Sequence, residues 1–184
     1  HYDRGNGKMK VLVDQIWFAN GLAMSPSEDF IVVAETYGSK LLKHWLQGEK
    51  KGTTEVFLDG IPGAPDNLTF DKKGIWVVLA VAADTDNPML SHLLAGHPII
   101  RKFLSRLFEL FLMPFKLVNS FYPNPWTNYM IREFGSTDMV IHLFPKRRTI
   151  IRLDWSGKIL KSCHGNDDST GMITHAAEID DYLY

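Results

Sequence analysis

Cysteine is almost absent from this sequence: Cys163 stands alone among 184 residues. A single thiol cannot close an internal disulfide or build a multi-cysteine zinc site. Charge of one sign is missing as well. Twenty Lys and Arg face 21 Asp and Glu, for a formal net charge of −1, which argues against nucleic acid as a partner and against an acidic disordered tail. No apolar run reaches the length of a membrane span, and no signal-peptide pattern is read at the start. Both ends read as cuts in a longer protein, since the closing Asp181-Tyr-Leu-Tyr184 resembles a strand just beginning, with its edge unpaired.

What is present is apolar and β-rich: 45% hydrophobic against 22% charged residues, ordinary for a folded domain. Two segments share one pattern. Ala19-Asn-Gly-Leu-Ala-Met-Ser-Pro-Ser-Glu-Asp-Phe-Ile-Val-Val-Ala-Glu35 and Pro65-Asp-Asn-Leu-Thr-Phe-Asp-Lys-Lys-Gly-Ile-Trp-Val-Val-Leu-Ala80 each open on a polar pair that reads as a turn. Each continues through an apolar strand, a tight polar turn and a second strand. Asn20 and Asp66 lie 46 positions apart, about one propeller blade. A weaker third copy runs from Thr174 to Tyr184. Further strands are expected at Lys8 to Val13, Lys40 to Leu46, Thr54 to Leu58, Thr149 to Leu153 and Lys158 to Lys161, with Asp154-Trp-Ser-Gly157 as a hairpin turn. The expected fold is all-β: about three blades of a six-bladed β-propeller, carrying a helical insertion. Blades occupy 1–84 and 142–184, and the insertion 85–141. Three blades without closure expose two sheet-packing faces, so the chain alone is expected to be aggregation-prone.

The insertion shows helical periodicity. Ile99, Ile100, Phe103, Leu104, Leu107, Phe108, Phe111 and Leu112 recur at i, i+3 and i+4, after Pro98 in the first turn and before a break expected at Pro114. Its basic and aromatic residues over 98–126 leave three roles open: covering the fold, closing a channel mouth, or docking on a membrane surface.

Asn20, Asp66 and Asn67 are the candidate metal residues. Residues at the start of innermost propeller strands converge on the channel axis, and carboxylate and amide oxygens are the donors that Ca²⁺ prefers. Pattern alone leaves metal ligation and ordinary turn chemistry both open. His175, at the same register of the third copy, is a candidate channel residue. His44, His92, His97, His142 and His164 show no ligand spacing and read as surface residues. Asn67-Leu-Thr69 also matches the glycosylation sequon, and a glycan on Asn67 excludes its use as a buried ligand.

Phe18-Ala-Asn-Gly21, the following Ser25-Pro26 and Ala34-Glu35, together with Pro62-Gly-Ala-Pro-Asp-Asn67 and Gly74-Ile-Trp-Val77, resemble the strictosidine synthase-like, adipocyte plasma membrane-associated and paraoxonase proteins. Lys40-Leu-Leu-Lys-His-Trp-Leu-Gln-Gly48 is also similar to strand sequence of that group. The resemblance covers 1–84 well and 149–184 loosely. It implies a six-bladed propeller with calcium at the floor of the channel, and ligands falling on Asn20, Asp66 and Asn67. It further implies a small ester or lactone substrate cleaved by an arylesterase- or lactonase-like hydrolase, or alternatively a non-catalytic, calcium-braced surface protein. Placement in the secretory pathway and at a membrane is implied, on an anchor outside this chain. Two departures matter. Thr174 stands where strictosidine synthases carry a catalytic Glu, and Val78, Leu79 and Ala80 stand where paraoxonases carry a His.

Overall fold

The computed structural model describes residues 1–83, 88, 93–94, 96–135, 147–165, 172–180 and 182–184. The chain divides into two compact units, His1–Asn87 with Lys146–Tyr184, and Pro88–Pro145. His92 and His142, and the expected boundaries at 84/85 and 141/142, lie outside the described residues.

Strand patterning builds the first unit. Strands β3 (Ala19–Met24), β4 (Phe30–Glu35), β5 (Lys40–Trp45) and β6 (Thr54–Leu58) form one antiparallel meander in chain order. A second meander holds β7 (Gly63–Asp71), β8 (Gly74–Ala82), β9 (Arg148–Leu153) and β10 (Ile159–Gly165). Alternate residues of each sheet face the other. Phe30, Val32 and Ala34 of β4, Ile75, Val77 and Leu79 of β8, and Ile151 and Leu153 of β9 make one core, with Trp45, Phe57 and Trp155 at its margin. The Trp155 ring meets Phe30 edge-on at 5.9 Å and Phe70 at 6.3 Å, and its indole N–H donates to the Asp71 carbonyl. Burying both faces of β4 explains its run of apolar residues, which alternation alone does not produce. Two four-stranded meanders packed face to face, with the first strands β3 and β7 adjacent, are consecutive blades of a β-propeller.

Two short ribbons accompany the blades: β1 (Tyr2–Asp3) with β2 (Lys8–Met9), and β11 (Glu178–Ile179) with β12 (Tyr182–Leu183). The strand expected from Lys8 to Val13 is only Lys8–Met9: Lys10 still exchanges backbone hydrogen bonds with His1 at 2.8 and 3.0 Å, and beyond it no ladder partner is found among the described residues. The Asp154 turn between β9 and β10 forms as expected. Its carboxylate accepts the backbone N–H groups of Ser156 and Lys158 at 2.8 and 3.0 Å, and Gly157 adopts φ +90°.

His44 is not a surface residue. It is 4% exposed in β5, and its Nδ1 lies 2.9 Å from the Thr54 hydroxyl. Burial, with Lys10 contributing, holds its pKa below the ordinary histidine value. The unfolded chain therefore binds a proton that the folded chain resists. Stability present above about pH 6.5, the ordinary imidazole pKa, is expected to fall as the pH drops through that value. Urea midpoints measured across that range fall in the native protein, and His44→Gln flattens the fall.

The second unit is helical. Helix α1 (Pro98–Phe121) and helix α2 (Pro125–Gly135) pack through the Phe111–Phe134 and Phe115–Trp126 ring pairs, at 5.4 and 5.7 Å. Pro98 occupies the first turn of α1, as the sequence suggests. Asn124 caps α2 by accepting the Thr127 N–H at 3.0 Å. The expected break at Pro114 does not occur, and α1 runs through it. Proline costs an interior helix about 3 kcal/mol, and packing on both sides of it offsets that cost: Leu112 is 1% exposed, and Phe115 lies against both Phe111 and Trp126.

Candidate metal site at the inner strands

The polar pairs that read as turns are β-bulges inside strands. On β3, Ala19 pairs with Glu35 and Leu22 with Val33, so three steps on one strand match two on the other. On β7, Pro65 pairs with Leu79 and Leu68 with Val77, the same excess of one. The extra residue falls at Asn20–Gly21 in one blade and at Asp66–Asn67 in the next. A bulge breaks the in–out alternation and re-aims side chains, and here it does so at one register of two adjacent blades.

The two bulges touch. Gly21 is buried, and a Cβ on it would overlap the Asp66 carbonyl oxygen and the Leu68 amide nitrogen, with the Asn67 carbonyl carbon at 2.8 Å. Only a residue without a side chain lets the inner strands approach this closely. The Asn20 amide then faces the Asp66 carboxylate closely enough to favour its charged form. Asp66 is half-buried, and burial raises its pKa, opposed by the neighbouring Asn20 amide. Among the described residues no ion pair neutralises it. Asn67 is exposed and spends its amide N–H on the Thr174 carbonyl at 2.8 Å, which leaves its carboxamide oxygen as the atom available to a cation. His175 is also exposed, with Nε2 3.3 Å from the Thr69 hydroxyl, two residues beyond Asn67 on β7. No group of three or more His, Cys, Asp or Glu gathers among the described residues. The donors brought together are one carboxylate and amide oxygens, which fit a hard cation and not zinc.

Residues not singled out from the sequence hold this arrangement. The buried hydroxyls of Thr36 and Ser39 donate to the carbonyls of Pro65 and Gly63 at 2.8 and 2.6 Å, fixing β7 just ahead of Asp66. Glu35 is 6% exposed, accepts the Trp17 N–H at 2.9 Å and pairs with Lys40 at 3.3 Å. It thereby steadies the approach to Asn20, where Phe18 sits at φ +66°. The Ala34-Glu35 pair inside the quoted motif was the only signal for any of these. Thr36→Val leaves the Pro65 carbonyl without its partner and is expected to cost about 1–3 kcal/mol, read as a lowered urea midpoint.

Known proteins share these sequences. The strictosidine synthase family profile matches residues 1–49. Over its whole length the chain is 46% identical to "Adipocyte plasma membrane-associated protein Hemomucin" of Drosophila melanogaster, of which it covers 32%. The chain is thus similar to the strictosidine synthase-like, adipocyte plasma membrane-associated proteins. Its whole length is likewise 31% and 30% identical to the adipocyte plasma membrane-associated proteins of Gallus gallus and Homo sapiens, with 38% of each covered. The chain thus spans about a third of the length of the curated relatives it matches. The family profile ends at Glu49, so it takes in the Asn20 bulge and stops short of the Asp66 bulge.

Proposed function

We propose that this chain supplies part of the channel of a calcium-dependent hydrolase acting on small esters or lactones, with Asn20, Asp66 and Asn67 among the ligands of the ion. The observation that supports the reading is the matched pair of bulges, which delivers the Asn20 amide onto a half-buried Asp66 carboxylate that no described cation neutralises. A carboxylate in that position favours a bound cation, and Ca²⁺ completes six to eight oxygen ligands from beyond this chain. When bound, the ion polarises an ester carbonyl and stabilises the oxyanion that develops. The chain's own residues do the rest of what can be assigned. Gly21 admits the close approach, Thr36 and Ser39 fix the Asp66 strand, and Glu35 steadies the Asn20 loop. Thr174 presents a backbone carbonyl to Asn67 and carries no acid, which argues against condensation chemistry that needs a glutamate there. The relatives' names extend the proposal to membrane association.

The test is hydrolysis of phenyl acetate by a protein carrying this chain at the full length of its relatives, with and without a calcium chelator. Chelator-sensitive turnover is expected. Its absence, with calcium still bound, favours the rival reading of a non-catalytic surface propeller in which the ion only braces the channel.

A further inference from the structure

Helix α1 leaves a long apolar ridge uncovered. Ile99, Phe103, Leu107, Leu110, Leu117 and Phe121 follow at helical spacing and are 82, 62, 51, 61, 58 and 82% exposed. Soluble surfaces seldom carry contiguous apolar area of this extent unless something docks there. At 24 residues the helix is about 36 Å long. No helix among the described residues is long and apolar enough to cross a membrane, and α1 itself carries five charged side chains. Those charges are lopsided. Arg101, Lys102, Arg106 and Lys116 stand against Glu109 alone, so the helix is at +3 in a chain whose formal charge is −1. Glu109 pairs with Lys116 at 2.7 Å, which leaves the positive excess on the N-terminal half. Lys102 and Arg106 run along one border of the ridge, each one residue before a ridge phenylalanine or leucine. At the other end Tyr122, Trp126 and Tyr129 are 74, 61 and 50% exposed, the residue types that settle at a lipid–water boundary.

We infer that α1 lies in the plane of an anionic phospholipid surface, with the Ile99–Phe121 ridge among the acyl chains and Lys102 and Arg106 against the headgroups. The apolar ridge supplies insertion and the basic border selects the charge of the surface. A second copy of this helix is the less suitable occupant, because pairing two +3 ridges brings like charges together. The inference concerns a different unit from the bulged strands and does not depend on the hydrolytic reading.

The test is flotation of a protein carrying this chain at the full length of its relatives, less any membrane anchor, with vesicles of phosphatidylcholine alone or mixed equally with phosphatidylserine. Flotation counts only lipid-bound protein. The mixed vesicles are expected to carry the chain up the gradient, and added salt to reduce the effect. Lys102→Gln/Arg106→Gln is expected to lower partition roughly fivefold per basic residue removed. Phe103→Glu/Phe121→Glu is expected to abolish flotation, and its unchanged far-ultraviolet circular dichroism shows that the fold survives, since both side chains point to solvent. No flotation of the native chain overturns the inference. So does equal flotation of native and both variants, which places membrane contact elsewhere in the chain. Loss of a dimer in sedimentation by the phenylalanine variant, without any lipid binding, also overturns it in favour of a second copy.

Discussion

Gly21→Ala is expected to destabilise the propeller unit by about 3 kcal/mol, at the upper end of the cost of forcing an extra carbon into packed structure. The added methyl meets backbone rather than a side chain: the Asp66 carbonyl oxygen, the Leu68 amide nitrogen and the Asn67 carbonyl carbon. Backbone in two bulged ladders cannot swing away, so the inner strands must separate. Gly48→Ala provides the comparison. Gly48 has φ +77° but nothing within 4 Å of a built Cβ, so it suffers only the left-handed backbone penalty of about 1 kcal/mol. Urea denaturation of both variants separates collision from backbone strain. Equal losses at the two glycines contradict the close approach of the blades.

The second large effect concerns the charge at Asp66. Calcium at one hundred times its dissociation constant is expected to stabilise a protein carrying this chain at its relatives' full length by about 2.7 kcal/mol, seen as a rise in Tm that a chelator reverses. Asp66→Ala is expected to remove that rise. In the absence of calcium, however, Asp66→Ala is not expected to cost stability, because burial disfavours the charged carboxylate it removes. This opposite behaviour with and without the ion separates a ligand from a residue that merely packs. An Asp66→Ala protein that is equally weakened in both conditions assigns the carboxylate a structural role.

Much of the fold was legible in the sequence, for reasons that can be traced to residues. The 46-position repeat from Asn20 to Asp66 gave the blades because each blade must present the same alternation to its neighbour's core face. The spacing of Phe103, Leu107 and Phe111 gave α1, but Pro114 misled. A lost N–H is a local penalty, whereas the packing of Leu112 and Phe115 that outweighs it is tertiary. The bulges were not legible. Asn-Gly and Asp-Asn have the composition of turns, and only the partners Glu35, Val33, Leu79 and Val77 show that one residue is extra. Thr36 and Ser39 were hidden for a related reason: they bond to backbone carbonyls, and a carbonyl leaves no mark in a sequence. His44 was misread because periodicity assigns a face and not the depth of burial, which the facing Thr54 and the cover over β5 decide.

The most direct measurement is a calorimetric calcium titration of a protein carrying this chain at its relatives' full length, beside its Asn20→Ala and Asp66→Ala variants. The account predicts stoichiometric binding by the native protein that weakens at least roughly tenfold in either variant, the loss expected when a charge-assisted contact is removed from a site. Calcium affinity identical in all three proteins contradicts it.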